Sequence, residues 1–473
     1  MPQHFDAIVI GTGQGGSPLA VRLGENGRKT AVIERATFGG TCVNVGCTPT
    51  KAYVASARAA HVARHAAAWG VQITGDITVD LARVKARKDE IIGQSRRGVE
   101  KWLRGATNVS VFNGHARFAG AHSVRIEARD GQPAQDLEAD EIFINTGTRP
   151  VIPTLPGIED IRYFTNSTLL DLTTLPEHLV VVGASYIALE FAQVFRRFGS
   201  RVTVIVRGER VLTREDADFA KSLQDVFVRE GIEFRFGANP TRLEALGGRG
   251  GDGTAVRVHL AGDAPPLDAS HLLFATGRRP NTDDLGLDAA GIEVDKHGLI
   301  PVDGELRTKV PGVWAIGDVN GRGAFTHTSY DDFQVVAANL FEAERTGERR
   351  SVDGRTMVYA VFVDPPLARV GMSETEVRQS GRKALIATMP MSRVGRAREK
   401  GETAGFMKTL VDADTKQILG ATILGVDGDE AIHTIIDTIK AGAPYTTLMR
   451  AMHIHPTISE LIPTLLEGLK PMV

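Results

Sequence analysis

Both cysteines of this 473-residue chain lie in one short segment, residues 39–51, which reads GGTCVNVGCTPTK. Cys42 and Cys47 are five positions apart, and two isolated thiols at such a spacing indicate redox or metal chemistry rather than a structural cross-link. In a regular helix, Cα atoms at this spacing are about 8–9 Å apart, whereas a disulfide needs about 7 Å or less. If the two cysteines bond, the backbone must bend, and Gly46 and Pro49 permit a bend.

Two other interpretations of the cysteine pair remain open at this point. Ordinary buried thiols are the plain alternative, because cysteine is a common core residue. A zinc site is weaker, because no third or fourth ligand lies nearby in the sequence. We therefore predict a redox pair and no metal site. Its nucleophile would be a thiolate, which needs a base to take the thiol proton and an acid to protonate the leaving sulfur.

The composition is that of an ordinary globular protein with several domains. Hydrophobic residues make up 42% and charged residues 24% of the chain, and the formal net charge is −2. This balance gives no general electrostatic reason to bind nucleic acid or an anionic membrane. No apolar run reaches about 18 residues, and residues 1–6 lack the basic start of a signal peptide. We therefore expect a cytoplasmic protein with no nucleic-acid or membrane partner.

A nucleotide-binding pattern precedes the cysteine segment. Residues 6–10 are apolar and predict a buried strand, residues 11–16 read GTGQGG, and a helix is predicted from there to about residue 24. A second strand, residues 30–33, ends at Glu34, which follows the first glycine by 23 residues. In such a βαβ unit the glycines let the backbone approach a pyrophosphate at the helix N-terminus, and the acid accepts hydrogen bonds from a ribose.

The same pattern recurs in the middle of the chain. A strand at residues 179–182 is followed by the turn GASYIA at residues 183–188, a helix, and a strand at residues 201–206. Ser185 and Ala188 replace the second and third glycines of the turn, and both are small enough to fit. We therefore predict a second nucleotide-binding unit.

The second unit ends with a base where the first ends with an acid. Arg207 lies 24 positions after Gly183, and Arg210 and Arg214 follow closely. An arginine at this position suits the 2′-phosphate of NADPH better than the 2′-hydroxyl of NADH. A solvated loop arginine is the alternative. Two nucleotide units in one chain imply two nucleotides, and hydride transfer between them is their natural use.

Further segments complete the predicted layout. Residues 144–150, INTGTRP, mirror residues 274–280, FATGRRP, so that each nucleotide unit ends alike. Helices are predicted over residues 50–68 and 80–104, and a strand ending in an acid over residues 312–318. The glycine-rich stretch 247–253 predicts a flexible loop, and residues from about 350 onward alternate strands and helices as an α+β domain does.

Taken together, these motifs resemble the class I flavoprotein disulfide reductases, the family of glutathione reductase, lipoamide dehydrogenase and mercuric reductase. The resemblance covers essentially the whole chain and adds AIGD at residues 315–318 and HPTISE at residues 455–460 to the motifs above. It implies an α/β fold with two Rossmann-like nucleotide-binding domains and a C-terminal α+β dimerisation domain. The boundaries we expect are 1–151 for the FAD domain, 152–278 for the NAD(P)H domain, 279–349 for a central domain that completes the FAD site, and 350–473 for the interface domain.

The resemblance also implies a role for each site residue. FAD would be held by Gly11, Gly13, Gly16, Glu34, Thr41, Thr146, Gly147 and Asp318, with Asp318 on the ribityl chain. NADPH, or less readily NADH, would be held by Gly183, Tyr186, Arg207 and Arg210, with Tyr186 covering the nicotinamide pocket until NADPH displaces it.

The implied catalytic residues are six. Cys47 would lie against the flavin as the charge-transfer thiol, and Cys42 would attack the substrate. Lys51 would sit near the flavin N5 and pair with Glu190. In a homodimer, His455 of the partner subunit, held by Glu460 of the same domain, would be the acid–base.

Several electron acceptors are compatible with these motifs. A mercuric reductase would carry a C-terminal cysteine pair, which is missing from residues 468–473, although residues 183–185 and 466–470 look like that subgroup. A lipoamide dehydrogenase, whether alone or as a subunit of a larger complex, would have an acid at position 207. Residues 325–332, FTHTSYDD, look most like bacterial reductases that detoxify reactive chlorine species and hypothiocyanous acid. There His327 would approach the flavin or the disulfide, or would simply be a packed loop histidine. We expect a disulfide or a thiol-reactive oxidant as the acceptor.

Overall fold

The structure, a computed structural model, describes residues 2–128, 133–247 and 255–472. Residues 248–253 of the predicted glycine-rich loop lie outside the described residues. The chain forms two compact units. The first comprises Met1–Ala52, Ala86–Val151 and Gly277–Arg355, and the second comprises Tyr53–Lys85, Ile152–Thr276 and Thr356–Val473. None of the described helices is long and apolar enough to cross a membrane.

Twenty-one strands occur in the described part of the chain. They are β1 (Gln3–Ile10), β2 (Thr30–Glu34), β3 (Val109–Gly120), β4 (Ser123–Ala128), β5 (Gln135–Ile144), β6 (Thr148–Pro150), β7 (His178–Val182), β8 (Arg201–Val206), β9 (Glu233–Phe236), β10 (Pro240–Ala245), β11 (Val256–Leu260), β12 (Leu267–Ala269), β13 (His271–Phe274), β14 (Arg278–Pro280), β15 (Val313–Ala315), β16 (Val358–Val361), β17 (Leu367–Gly371), β18 (Ala384–Pro390), β19 (Phe406–Asp412), β20 (Ile418–Leu424) and β21 (Lys470–Pro471).

Fourteen α-helices accompany them among the described residues. They are α1 (Gly16–Glu25), α2 (Gly40–Asn44), α3 (Cys47–His65), α4 (Leu81–Gly105), α5 (Tyr186–Phe198), α6 (Ala217–Arg229), α7 (Thr326–Phe341), α8 (Ala343–Thr346), α9 (Glu374–Gln379), α10 (Gly395–Glu399), α11 (Gly428–Ala431), α12 (His433–Lys440), α13 (Thr446–Arg450) and α14 (Leu461–Glu467).

The first unit is built on a mainly parallel sheet. β1 pairs in parallel with β2 and with β5, β2 pairs with β3, and β5 pairs with β15. The second half of β3 leaves the parallel region and forms an antiparallel ladder with β4, which pairs in turn with β5. Ile10 lies opposite both Ile33 and Ile144, so the carboxyl ends of β1, β2 and β5 meet at one edge. Ligands of α/β folds bind outside that edge.

The second unit contains a four-stranded parallel sheet in the order β13-β7-β8-β9. Val182 lies opposite both Phe274 and Ile205, which again brings three carboxyl ends together. The same unit holds a three-stranded antiparallel sheet, β10-β11-β12, and a six-stranded antiparallel sheet in the order β16-β17-β20-β19-β18-β21. The predicted class, two Rossmann-like regions with a C-terminal α+β region, is confirmed.

Buried apolar strands account for the positions of both parallel sheets. All five residues of β2 and of β7 are buried, as expected for parallel strands covered on both faces. In the first unit α1 buries Leu19 and Leu23. In the second unit α5 buries ten of its thirteen residues, among them three phenylalanines, Phe191, Phe195 and Phe198.

Two predicted element boundaries were wrong. The helix predicted from residue 50 begins at Cys47, because Pro49 fits the first turn of a helix, where no N–H is needed for the helical ladder. The strand predicted to end in Asp318 ends at Ala315, and Asp318 lies in the 3₁₀ turn Gly317–Asn320. This turn has glycines with left-handed φ at each side, +76° at Gly317 and +72° at Gly321.

The two TGxRP segments, predicted as the matching ends of two units, pair with each other. β6 and β14 form an antiparallel ladder within the first unit, in which Thr148 lies opposite Pro280 and Pro150 lies opposite Arg278. Sequence similarity alone gave no indication of this pairing.

Candidate functional site

The first glycine turn is shaped by close contacts with Asn145, the residue after β5. Gly11 has φ +103°, and a Cβ there would lie 2.4 Å from the Asn145 carbonyl oxygen. The Asn145 side chain accepts a hydrogen bond from the Gly16 N–H at 2.9 Å and donates one to the Ile316 carbonyl at 2.9 Å. The amide thus ties the start of α1 to the strand edge, and the N–H groups of the turn are presented to a ligand.

Glu34 connects the glycine turn to the cysteine segment. Its carboxylate accepts hydrogen bonds from the Thr12 hydroxyl at 2.5 Å and from the Thr12 N–H at 3.1 Å. The same hydroxyl accepts a hydrogen bond from the Gly39 N–H at 3.2 Å. Gly40 has φ +63°, and a Cβ on it would come within 2.8 Å of the Gly13 Cα. Glu34, the predicted ribose-binding acid, therefore also holds the cysteine segment against the first glycine turn through Thr12.

The backbone bends between the two cysteines, at the place the sequence predicts. α2 ends at Asn44, Val45 leaves the helical conformation with φ −143° and ψ 9°, and α3 begins at Cys47. Gly46 is packed tightly there, because a Cβ on it would lie 2.9 Å from the Thr41 carbonyl oxygen. Thr41, predicted to contact FAD, is an exposed residue of α2.

Both cysteines are thiols in the structure, with Cys42 half-buried and Cys47 exposed. A hydrogen bond with Cys47 is the main cause that raises the pKa of Cys42, and burial adds to it, whereas Thr326 and Lys51 act in the opposite direction. The Cys47 Sγ lies 3.2 Å from the Thr326 hydroxyl oxygen. The hydrogen bond and the burial therefore favour the protonated form of Cys42.

Thr326 is a site residue that the sequence analysis missed. It is the first residue of α7, far from Cys47 in sequence, and its only signal was its place in the FTHTSYDD segment. His327 follows it, is exposed, and stacks on Phe325 with ring centroids 5.4 Å apart.

The other two predicted FAD contacts after β5 lie in a loop held by Asn281. The Thr146 hydroxyl donates to the Asn281 carbonyl at 3.0 Å, and the Asn281 amide donates to the Thr146 carbonyl at 2.8 Å. Gly147 has φ +65°, and a Cβ on it would meet no protein atom within 4 Å. The loop is therefore fixed by the protein on one side and open on the other.

Asp318 is held by a chain of hydrogen bonds that starts at Arg278. Arg278 donates to the Thr148 hydroxyl at 2.8 Å, and this hydroxyl donates to Asp318 at 2.9 Å. Burial raises the pKa of Asp318, and the Thr148 hydrogen bond and the charge of Arg278 counteract it.

Asp332 anchors the turn that carries Asp318. Its carboxylate accepts hydrogen bonds from the Gly317 N–H at 2.8 Å and from the Asn320 amide at 3.0 Å, and Arg355 forms an ion pair with it. Asp332 is 2% exposed. The pair fixes the position of the Asp318 carboxylate at the sheet edge, and neither residue had been predicted as part of the site.

The second glycine turn repeats the geometry of the first with fewer contacts. Gly183 has φ +122°, and a Cβ on it would lie 2.4 Å from the Ala275 carbonyl oxygen. Tyr186 begins α5 and is half-buried. Arg207 directly follows β8 and is exposed, with no ion pair to any described residue. Arg210 donates to the Thr213 carbonyl at 3.0 Å.

Glu190 and Lys51, predicted to form an ion pair, belong to different units. Glu190 is 3% exposed on α5, and its carboxylate accepts a hydrogen bond from the Phe362 N–H at 3.0 Å. Lys51 is half-buried on α3. Their pairing stays a prediction.

His455 and Glu460 form the hydrogen-bonded pair that a catalytic acid–base requires. The His455 Nδ1 lies 2.9 Å from one carboxylate oxygen of Glu460 and 3.1 Å from the other. A carboxylate only accepts, so Nδ1 carries a proton and the neutral ring has its lone pair on Nε2. The histidine side chain is 78% exposed, and nearby Met452 and Ile454 are 100% and 79% exposed. Such apolar exposure indicates a surface that another protein covers.

The first unit has the features that a bound FAD requires. α1 presents N–H groups at an edge where three parallel strands end, the glycines leave no side chain there, and Glu34 lies at the end of β2. Asp318 and the open loop at Gly147 lie at the ends of neighbouring strands of the same sheet. No group of three or more metal-ligating side chains occurs among the described residues.

Comparison with known proteins agrees with this geometry. Residues 5–332 match the family model of the pyridine nucleotide-disulphide oxidoreductases, and residues 357–466 match the dimerisation domain of the same family. The chain is 36% identical to the probable pyridine nucleotide-disulfide oxidoreductase RclA of Escherichia coli over 96% of this chain and 97% of that protein. It is 33% identical to the mercuric reductase of Streptomyces lividans, with 97% and 94% covered. It is 32% identical to the dihydrolipoyl dehydrogenase of Chlamydia muridarum, with 98% and 96% covered.

A solved structure gives the same result. The Cu(II) complex of the HOCl-induced flavoprotein disulfide reductase RclA from Escherichia coli superimposes with a TM-score of 0.88 at 34% identity, covering 99% of both chains. The dimerisation domain supports a homodimer. The chain therefore belongs to the pyridine nucleotide-disulphide oxidoreductases, which are FAD-containing enzymes that use a pyridine nucleotide.

Proposed function

We propose that this enzyme uses NADPH to reduce a small disulfide or a thiol-reactive oxidant through the Cys42–Cys47 pair. The observation that carries the proposal is the arrangement of the two thiols, with Cys42 of α2 hydrogen bonded to Cys47 at the start of α3 and Thr326 beside Cys47. Such a dithiol can attack a substrate with one sulfur and release it with the other.

The first unit would hold FAD, with its pyrophosphate on the N-terminus of α1, a ribose at Glu34 and the ribityl chain at Asp318. When bound, FAD supplies the hydride chemistry that connects the nicotinamide to the disulfide. Thr41, Thr146 and Gly147 would line the same site, and Lys51 paired with Glu190 would lie beside the flavin. We assign residues 1–151 and 279–349 to FAD binding, 152–278 to NAD(P)H and 350–473 to the interface.

Substrate reduction would proceed by two thiol–disulfide exchanges. The Cys42 thiolate attacks one sulfur of the substrate disulfide, a mixed disulfide forms, and the first substrate thiolate leaves. The Cys47 thiolate then attacks the Cys42 sulfur, which releases the second substrate thiolate and forms the Cys42–Cys47 disulfide. Two electrons pass to the substrate, and each leaving thiolate needs one proton.

The acid that supplies these protons would be His455 of the partner subunit. Glu460 keeps the proton on Nδ1, so Nε2 can take the proton of the Cys42 thiol and return it to a leaving sulfur. The exposure of this histidine, together with that of Met452 and Ile454, supports a site that is completed only in the homodimer.

The second unit would bind NADPH rather than NADH. Arg207 lies at the end of β8, where the first unit has Glu34, and its guanidinium is exposed and unpaired among the described residues. A planar guanidinium suits bidentate binding of a phosphate. Tyr186, in the first turn of α5, would cover the nicotinamide pocket, and Gly183 and Arg210 would contact the nucleotide.

The acceptor is proposed from the likeness to RclA, which is an HOCl-induced disulfide reductase in Escherichia coli. The Cys42–Cys47 dithiol would also reduce a thiol-reactive oxidant, and no further catalytic residue would be needed. A metal ion is the second candidate, because RclA has been solved as a Cu(II) complex and a mercuric reductase is among the relatives. We place the enzyme in the cytoplasm, since a reducing compartment keeps the dithiol usable.

A subunit-mixing experiment tests the composite site. Cys42→Ser and His455→Ala homodimers should each be inactive in NADPH-dependent disulfide reduction. After subunit exchange, a mixed dimer holds one site with both native residues, and activity should return to about a quarter of the native value when the chains mix at random. No recovery, with exchange verified by mass-tagged subunits, would place Cys42 and His455 of a site in the same chain.

A further inference from the structure

Two histidines lie side by side on α3, outside every residue assigned to the redox site. His61 and His65 are four positions apart, so they project from the same face of the helix. Their ring centroids are 4.2 Å apart, and the ring planes are inclined by 34°. Fourteen positions separate His61 from Cys47, the first residue of the same helix.

The tautomer of His65 is set by the helix itself. Its Nδ1 lies 2.8 Å from the His61 carbonyl oxygen. Because a carbonyl only accepts, Nδ1 must carry the proton, and the lone pair of the neutral ring is on Nε2. A backbone carbonyl bonded to the other ring nitrogen is the usual support of a metal-binding histidine, because it fixes both the tautomer and the ring orientation.

His61 is also in a state that can bind a metal ion. It is half-buried, and its ring nitrogens form no hydrogen bond with any described residue. An imidazole nitrogen without a hydrogen-bond partner can offer its lone pair to a metal ion, which binds the neutral ring.

The charges around His61 tolerate a cation. Arg197, whose carbonyl accepts a hydrogen bond from Arg64 of α3, is neutralised by ion pairs with Glu230 and Asp364. Asp364 also pairs with Arg58, which pairs in turn with Glu402. The connected network contains two guanidinium groups and three carboxylates, so one negative charge is in excess.

We propose that His61 and His65 form a binding site for a divalent transition-metal ion that prefers imidazole, namely Ni²⁺, Cu²⁺ or Zn²⁺. The two imidazoles occupy two coordination positions, and water or a small ligand fills the others. Arg64 donates a hydrogen bond to the Arg197 carbonyl from the intervening turn, which holds this part of α3 in place. The site is separate from the cysteine pair and takes no part in the exchange chemistry.

Ni²⁺ titration of the oxidised holoenzyme tests the site. The protein is purified without a histidine tag and kept oxidised, so that the Cys42–Cys47 disulfide offers no thiolate to the metal. Calorimetry should show one Ni²⁺ per chain in the tightest class of sites. His65→Ala should weaken that binding by about tenfold or more, since the second ligand of a pair binds intramolecularly. His65 is exposed, so its replacement should leave the FAD absorbance and the reductase rate unchanged.

His4→Ala is the matched control, because His4 is a half-exposed histidine beside a carboxylate, Asp140, at 3.4 Å. It should leave the Ni²⁺ affinity as it is. Electron paramagnetic resonance of bound Cu²⁺ should report two nitrogen ligands in the native protein and fewer in His65→Ala. Absence of Ni²⁺ binding, equal affinity in native protein and His65→Ala, or an equal loss in His4→Ala would overturn the proposal.

Discussion

Only the first of the three glycine positions is a glycine in both nucleotide-binding turns of this chain. Gly11 and Gly183 both have left-handed φ, and a Cβ at either would lie 2.4 Å from a carbonyl oxygen, that of Asn145 or of Ala275. That first glycine is required in both units for the same physical reason, because the backbone of the neighbouring strand end passes directly beside it.

The other two glycine positions of the first turn are also closely packed, against Asn145 and against the turn itself. At Gly13 a Cβ would lie 2.9 Å from the Asn145 side-chain oxygen, whereas Ala275 has no such atom, and Ser185 is tolerated in the second unit. At Gly16 a Cβ would come within 2.2 Å of the Gly11 carbonyl oxygen, while the corresponding Ala188 is fully buried without difficulty. The turn with more glycines is therefore the one whose helix is held more closely by the residue at the neighbouring strand end.

The acid and the base that end the two units also have different surroundings. Glu34 is 8% exposed and accepts two hydrogen bonds from Thr12. Arg207 is exposed and unpaired among the described residues. These surroundings fit the proposal that the first unit holds its nucleotide tightly and that Arg207 of the second unit binds a nucleotide that exchanges.

Replacing the shared glycine should give the largest effects and separate the two units. Gly11→Ala should yield protein without FAD and cost about 3 kcal/mol or more in stability, because both the φ and the contact with backbone oppose a Cβ. Gly183→Ala should keep its FAD but lose flavin reduction by NADPH. The measurements are the flavin absorbance and rapid-mixing reduction.

Gly98→Ala is the control for the glycine variants, since Gly98 lies within α4 and a Cβ there meets nothing within 4 Å. It should stabilise the protein by about 0.5–1 kcal/mol. Retention of FAD by Gly11→Ala would contradict the role given to this turn.

Asn145→Ala should make the first unit resemble the second. The variant loses the hydrogen bonds to Gly16 and Ile316, whose polar groups are buried, and about 2–3 kcal/mol of unfolding free energy should be lost. FAD should dissociate more readily while NADPH binding stays the same. Thermal unfolding of the FAD-loaded protein and fluorescence of released flavin measure both effects, and an unchanged FAD affinity would mean that α1 is positioned without the amide.

Arg207→Glu should reverse the preference of the second unit for NADPH. We expect a ten- to a hundredfold preference for NADPH in the native enzyme, about 1.4–2.8 kcal/mol, from a bidentate contact with the 2′-phosphate. The acid would repel that phosphate and accept a hydrogen bond from the 2′-hydroxyl of NADH. Rapid-mixing flavin reduction by each nucleotide measures the ratio, with Arg214→Glu as a charge-matched control. Equal use of both nucleotides by the native enzyme would show that Arg207 does not contact the phosphate.

Thr326→Val should have the smallest effect of these variants. The Thr326 hydroxyl lies beside the Cys47 sulfur and acts to lower the pKa of Cys42, so we expect its removal to raise the pH at which the reduced enzyme shows its thiolate-to-flavin absorbance. At neutral pH the band should weaken and turnover should fall by about two- to tenfold, since one hydrogen bond to a charged sulfur is lost. Thr328→Val, a neighbouring buried threonine that bonds to Phe325, is the control. Identical titrations of both variants would count against the contact.

The sequence predicted the parts of the site that are local in the chain. Strand, glycine turn, helix and the charged residue at the end of the second strand follow one another within about thirty residues, so residue pattern alone located them in both units, with Glu34 in the first and Arg207 in the second. Gly46 lies in the bend between Cys42 and Cys47 as predicted, whereas Pro49, which was predicted to permit the bend with it, lies in the first turn of α3.

The parts that the sequence did not predict depend on residues far apart. Thr326 and Cys47, Asn145 and Gly16, and Arg355 and Asp332 meet only after the sheet has formed, and no local pattern records such contacts. The ladder between β6 and β14 is of the same kind, because two similar segments gave no sign of pairing with each other. α3 begins at Cys47, three residues before its predicted start, and Pro49 lies in its first turn, where proline is favoured.

The absorption spectra of two cysteine variants test most directly the claim that Cys47 faces the flavin while Cys42 faces the substrate. Cys42→Ser leaves Cys47 as a thiolate, and the purified yellow protein should show a long-wavelength thiolate-to-flavin band without any reduction. Cys47→Ser should show no such band before or after two-electron reduction, and both variants should lack disulfide reductase activity. A band that persists in Cys47→Ser, or one that appears only there, would show that the roles of the two sulfurs are exchanged and would contradict the account.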